Sequence, residues 1–249
     1  MIRSNNEIKG LNAFVIRIVA IIAMLFSMYA QTNESKLADC LLWFSYTIFA
    51  FLMVEGINNT TNRLLYFRRM LVFTVLAEVP YDLFTFEKPW DISEQSIMLT
   101  LFIGFCICNI CEYIRNKLNN SIINGVAVVV LTYLGIIAAQ RLNAQFGKYG
   151  LLILMLFYVS YNLRYAKIFE LALMLYYGFT VSTESVIDIS INDIQYSIPI
   201  VAFAVLATFF TWTYNEKRGL NTFVLKICFY LVYPVSLLAF YLLLINNIL

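Results

Sequence analysis

Residues 48–82 read IFAFLMVEGINNTTNRLLYFRRMLVFTVLAEVPYD, and the fold turns on them. An apolar run closes on Glu55-Gly56. Beyond a polar turn come Arg63, Arg68 and Arg69, and a second apolar run carries Glu78, Pro80 and Asp82. Each run approaches the ~20 residues that cross a bilayer as a helix. Two such runs joined by a short basic turn predict a membrane hairpin with its turn on the cytoplasmic side. The two acids then lie at membrane depth, where ionisable groups face the bundle interior, a partner or a water-filled space.

The rest of the chain has the same character. Hydrophobic residues make up 61% and charged residues 13% of the 249 positions, against about 25% charged in a soluble domain. Cutting the apolar runs at polar punctuation gives nine candidate spans, near 11–30, 38–56, 65–85, 97–113, 122–140, 149–163, 167–181, 195–213 and 222–245. The sixth and seventh are short enough to be tilted, half-buried or re-entrant, which sets the count between eight and ten. The first run is longer than a signal-peptide core, and no A-x-A site closes it, so it is expected to remain as a span. The expected fold class is all-α: a polytopic transmembrane helix bundle forming a single domain over 1–249, in a lipid bilayer.

Lys and Arg orient the bundle. With the N-terminus cytoplasmic, the inner segments hold Arg3 and Lys9, then Arg63, Arg68 and Arg69, then Arg115 and Lys117, then Arg164 and Lys167, then Lys217 and Arg218. The outer segments hold only Lys36, Lys88, Arg141 and Lys148, and the acid-rich loops Glu87–Glu94 and Glu184–Asp193 fall outside with them. The basic residues cluster at span ends, so the net charge of +2 carries no signal for nucleic acid.

Polar groups at depth are the candidates for function. Arg17 and Glu55 lie at matching depths near the inner face, either as an ion pair that fixes packing or as an inner pocket for an anionic donor. Glu78 and Asp82 are four residues apart and share one face of their helix. Ser27, Gln95 and Ser236 have similar depths, so an outward-facing polar pocket is expected, or else acids that bond to neighbouring helices. Pro80 between the acids is expected to kink the helix. Cys106, Cys108 and Cys111 point to different faces of a helix and read as small apolar filler, with no metal site implied. Histidine is absent, which removes the commonest general base.

Several segments together carry a resemblance. IFAFLMVEG (48–56) with its basic loop and FTVLAEVPYDL (73–83), Gln95 with LTLFIG (99–104), FGKYGLLILMLFY (146–158), and YNEKRG (214–219) leading into FYLVYP (229–234) resemble the TraX family of membrane proteins, in order and over nearly the whole chain. The resemblance implies a bacterial inner-membrane acetyltransferase that acts on a pilin N-terminal amine, with acetyl-CoA as the expected donor. The donor side matches in Glu55, Gly56, Lys217, Arg218 and Gly219. The acceptor side departs. Ser27-Met28 stand where the family carries Asp-His, and Ser236 replaces the histidine of a Tyr-Pro-x-His pattern. Gln145 replaces an aspartate, and Ser96 an asparagine. Met28 cannot take a proton, and a serine is no base without a partner.

The reading placed first is therefore a divergent, catalytically weakened member that acts as an accessory or peptide-binding subunit, alone or with a sister membrane protein. The second is an active acetyltransferase with Glu78 or Asp82 as the base. A third is a small-peptide transport or self-protection protein.

Overall fold

A computed structural model describes residues 10–33, 35–161, 166–180, 186–191, 194–220 and 222–246. Arg3, Lys9, Arg164, Glu184 and Asp193, used above to orient the chain, lie outside them. The described residues form nine α-helices: α1 (Ala13–Gln31), α2 (Leu37–Asn58), α3 (Arg63–Phe86), α4 (Ile97–Leu118), α5 (Ser121–Arg141), α6 (Gly147–Ser160), α7 (Ala166–Thr180), α8 (Phe203–Trp212) and α9 (Phe223–Ile245). The opening hairpin of the sequence is α2–α3. Asn62, Asn12, Asn120 and Thr222 start α3, α1, α5 and α9, each side chain accepting a bond from a first-turn backbone N–H.

Five helices, α1, α2, α4, α5 and α9, are long and apolar enough to cross a membrane. α3 is longer than any of them but carries Arg63, Arg68, Arg69, Glu78 and Asp82. Its outward face is nonetheless apolar: Leu64, Phe67, Leu71, Val75 and Val79 are exposed while Asp82 is buried. α5 exposes Ile122, Val126, Val129 and Tyr133 along its length. Apolar faces this extensive belong against lipid.

α2 is the central helix, packed on α1, α4, α6 and α8. α3 lies along α9, with Phe73 stacked on Tyr230 at 4.9 Å between ring centroids. Close helix approach is set by small residues, as at Gly56, where a Cβ would meet the Tyr66 hydroxyl at 2.9 Å. Cys108 and Cys111 are buried in the core, with Cys108 Sγ 3.9 Å from Met155 Sδ. α3 continues through Pro80 to Phe86.

The chain is not wholly helical. β1 (Val186–Ile191) and β2 (Ile194–Pro199) pair antiparallel, with Val186 opposite Pro199 and Ile191 opposite Ile194. The candidate span over 195–213 thus begins in a strand, passes through a 3-10 turn at Ile200–Ala202, and is helical only in the ten residues of α8. At 1.5 Å per residue α8 is about 15 Å long, half a bilayer core. The physical reason lies in the period. Val-Ile-Asp-Ile-Ser-Ile and Ile-Gln-Tyr-Ser-Ile-Pro alternate polar and apolar residues, rich in β-branched side chains, and hydropathy averaged over a window hides that alternation.

Candidate functional site

The bundle has a basic end, where α2 leads into α3 and α8 into α9, and an acidic end, where α3 leads into α4. At the basic end the segment 213–217 clamps the start of α1. Leu11 N–H donates to Thr213 O at 2.7 Å, Asn215 N–H to Leu11 O at 2.9 Å, and Ala13 N–H to Lys217 O at 2.9 Å. Gly219 closes the clamp at φ +68°, a conformation that favours glycine, and a Cβ there would meet the Asn12 side chain at 2.8 Å.

Behind the clamp lies a cavity of about 220 Å³ between α1, α2, α3, α4 and α9. Arg17, Arg69, Arg218 and Lys226 line it, and Glu55 is the one carboxylate among its lining residues. The expected Arg17–Glu55 ion pair does not form. The Arg17 guanidinium sits over the Phe229 ring, 4.6 Å from its centroid. Glu55 instead accepts from the Tyr214 hydroxyl at 2.8 Å and from Asn59 Nδ2. Arg218 donates to Asn59 O, and Arg69 Nε to Leu65 O at 3.3 Å. Among the described residues the ion pairs are Arg63–Glu112, Arg115–Glu112 and Lys88–Asp91, so none of the cavity's four cations has an acid partner. Two of them sit instead over aromatic rings, Arg17 over Phe229 and Arg69 over Tyr66 at 5.8 Å from its centroid.

Of the donor-side residues read from sequence, Arg17, Glu55 and Arg218 meet in this cavity. Lys217 does not line it, and serves the clamp through its backbone. Arg69, read from sequence only as a topology charge, and Lys226 also line it. Their position on the inner face of α3 and α9 is a matter of packing.

At the acidic end the candidate residues are committed to one loop, 87–96. Glu78 accepts from Ser96 N–H at 3.1 Å and from Ser96 Oγ at 2.8 Å, and so ties α3 to the start of α4. Asp82, 2% exposed, accepts from Asp91 N–H at 3.0 Å through Oδ2, while Oδ1 has no partner. Gln95 Nε2 donates to Asp91 O at 3.1 Å. Gln95 and Gln145 also bond through their backbones, Gln145 N–H donating to Gln95 O at 2.8 Å. The Thr100 hydroxyl donates to Gln145 O. Ser27 Oγ donates to Ala38 O at 2.8 Å and Ser236 Oγ to Tyr233 O at 2.9 Å, while Met28 is buried in the core.

These residues do not converge on one pocket. A second cavity of about 320 Å³ opens at this end, lined by Asp39, Glu94, Tyr81, Trp43, Phe146 and Gln145 among others, and only Gln145 was anticipated. Burial holds the Glu94 carboxyl above the usual carboxylate range, opposed by the hydrogen bond from Tyr81. The Tyr81 hydroxyl donates to Glu94 Oε2 at 3.0 Å. Between the two ends, Tyr233 lines the first cavity and interacts electrostatically with Glu78. Glu78 does not line that cavity, but its partner Ser96 adjoins Ile97, which does.

Two further buried acids had not been singled out. Glu112 accepts from Arg115 Nη2 at 2.7 Å and the Tyr158 hydroxyl at 3.0 Å, and Glu170 accepts from Ser160 Oγ and from Trp212 Nε1 at 3.2 Å. Both join helices and neither lines a cavity described above.

No curated protein and no solved structure matches the chain. A profile of the family described as TraX protein matches residues 13–244, which takes in α1 to α8, all but the last residue of α9, and the residues lining both cavities. The apolar helices and this match together make the chain a membrane protein of the TraX family.

Proposed function

We propose that this chain keeps the donor half of a TraX-type acetyltransferase site, binding an acyl-CoA through the cation-lined cavity, while its acceptor half is weakened. It then works as an accessory or peptide-handling subunit of the cytoplasmic membrane, with the basic end facing the cytoplasm. The observation that carries this reading is the cavity: four cations, no acid partner for any of them among the described residues, and one described carboxylate already engaged by Tyr214 and Asn59. A coenzyme A thioester would bring phosphates to such a mouth and an activated acyl group to its interior. Arginines are suited to phosphate because their planar donors bind oxygens in pairs. Arg218 and Arg69, at the ends of α8–α9 and α2–α3, would hold the phosphates, and Arg17 would sit deeper, steadied by Phe229.

What supports a weakened acceptor half is where the acids are engaged. Glu78 and Asp82 each accept backbone N–H bonds from the 87–96 loop. They tie α3 to that loop, and neither is among the residues lining the two cavities. One observation favours a second reading. Glu78 is bonded to Ser96, whose neighbour Ile97 lines the cavity with Tyr233, so a carboxylate stands close to where an active transferase would need a base for an acceptor amine.

Titration of the purified protein in nanodiscs with acetyl-CoA tests the donor half, and micromolar to millimolar binding that weakens with salt is expected. Absence of binding overturns the reading. Intact-mass analysis of a peptide with a free N-terminus, incubated with protein and acetyl-CoA, separates the two readings. The first expects no acetylated product. Product that disappears in Glu78→Gln would establish the second.

A further inference from the structure

The donor cavity is longer and more apolar than an acetyl group requires. Along α2 its lining runs from Ser45 to the C-cap Asn59, fourteen steps or about 21 Å at 1.5 Å each. The charged groups gather towards one end: Glu55 on the last turn of α2, Arg17 on the second turn of α1, Arg69 on the second turn of α3, Lys226 near the start of α9 and Arg218 before it. The rest of the lining includes Met24, Met53, Met70, Met98 and Leu101, together with Ser45, Tyr230 and Tyr233. Four of the chain's eight methionines therefore face this one space, and each comes from a different helix, α1, α2, α3 and α4. Methionine is unbranched and polarizable, and it adapts its shape to an apolar occupant better than leucine or valine does.

We propose that the cavity measures acyl length and takes a fatty acyl thioester ahead of an acetyl one. The inference rests on the reading of this cavity as an acyl-CoA site. An acetyl group would leave the methionine-lined depth without a partner, which forfeits contacts on every wall. A medium chain would fill it, with the phosphates still at the cationic mouth. Charge at one end and apolar walls at the other match an amphiphile with an anionic head. An acyl-CoA from the aqueous side and an anionic phospholipid from the bilayer share that chemistry.

The experiment is a titration series of acetyl-, butyryl-, hexanoyl- and octanoyl-CoA on the full chain in phosphatidylcholine nanodiscs, with uptake by empty nanodiscs subtracted. Binding is expected to tighten about fourfold per added methylene until the depth is filled. In Met98→Trp, which places a large ring in the depth, the octanoyl-to-acetyl ratio is expected to fall towards one. Because the wild-type series alone decides the point, a variant that fails to fold does not shelter the proposal. Equal binding of acetyl- and octanoyl-CoA overturns the length selection and leaves the donor site standing. Failure of every thioester overturns both. An anionic phospholipid that copurifies with the protein and is not displaced by octanoyl-CoA overturns the thioester as occupant and assigns the cavity to lipid.

Discussion

The two ends of the bundle hold their charges in opposite ways. At the basic end, Arg17, Arg69, Arg218 and Lys226 face a common space with no acid partner among the described residues. At the acidic end, Glu78 and Asp82 are spent on the backbone of the loop they organise. Cations without an acid partner keep binding energy in reserve for an anion. Carboxylates already bonded to backbone N–H groups give rigidity and have less left for chemistry. The difference shows that charges at the two ends serve opposite purposes, and that the kind of partner each has tells them apart better than depth does.

The sharpest way to break this comparison is to remove a cation from the cavity and another from outside it. Arg69→Ala is expected to weaken acyl-CoA binding about 30-fold, the scale of a charge-assisted hydrogen bond to a phosphate. Arg115 lies at the same end but is bonded to Glu112 at 2.7 Å and lines no cavity described here. Arg115→Ala should leave binding unchanged. Equal losses in the two variants would mean that net positive charge, and not the cavity, attracts the ligand.

Stability should divide the other way. Glu112, 2% exposed, gathers Arg63, Arg115 and Tyr158 and so joins α3, α4 and α6. Glu112→Ala is expected to cost about 2 kcal/mol, since the buried Tyr158 hydroxyl loses its acceptor while the two half-exposed arginines turn to water. Glu112→Gln, which can still accept from Tyr158, should cost less. Thermal unfolding in detergent reads both. Glu55→Ala, at the rim of the cavity, should lower stability by less than either.

How far the sequence could foresee this arrangement follows from the same distinction. Apolar runs and capping residues locate most helices, because both depend on local chemistry. Asn62 and Thr222 sit where α3 and α9 begin. Residues 195–199 escaped, since a window average cannot see a two-residue period. Arg17 and Glu55 were legible together because charges at matching depths are rare in a membrane chain, and Arg218 joined them through the family resemblance. Arg69 and Lys226 were not, because which face of a helix turns inward is decided by packing partners far away in sequence. For the same reason Glu78 and Asp82 could be placed at depth but not given their partners. Ser96 and Asp91 lie in a loop whose path is set by the Gln95–Gln145 contact with the end of α5.

The smallest expected effect concerns that loop, where two acids three residues apart respond to pH with opposite signs. Glu94 is held above the usual carboxylate range by burial, with the Tyr81 hydroxyl acting the other way. Folding therefore favours its protonated form. Its contribution is fully present below the ordinary glutamate value near about 4.3 and is lost as pH rises through the higher folded value. Asp91 is held below the usual range, first by the Ser93 hydroxyl and then by the Ser93 backbone N–H. Its contribution is present above the ordinary aspartate value and is lost as pH falls through the lower folded one. Glu94→Gln should therefore raise the thermal midpoint slightly at neutral pH, where the buried charge is a penalty. Its advantage over the wild type should shrink on acidification towards the ordinary glutamate value. Asp91→Asn should lower the midpoint at neutral pH, and that loss should fade only below the ordinary aspartate value. If both variants shift the midpoint in the same direction at neutral pH, the loop is not held by the bonds described, and the contrast between spent and reserved charge fails at its acidic end.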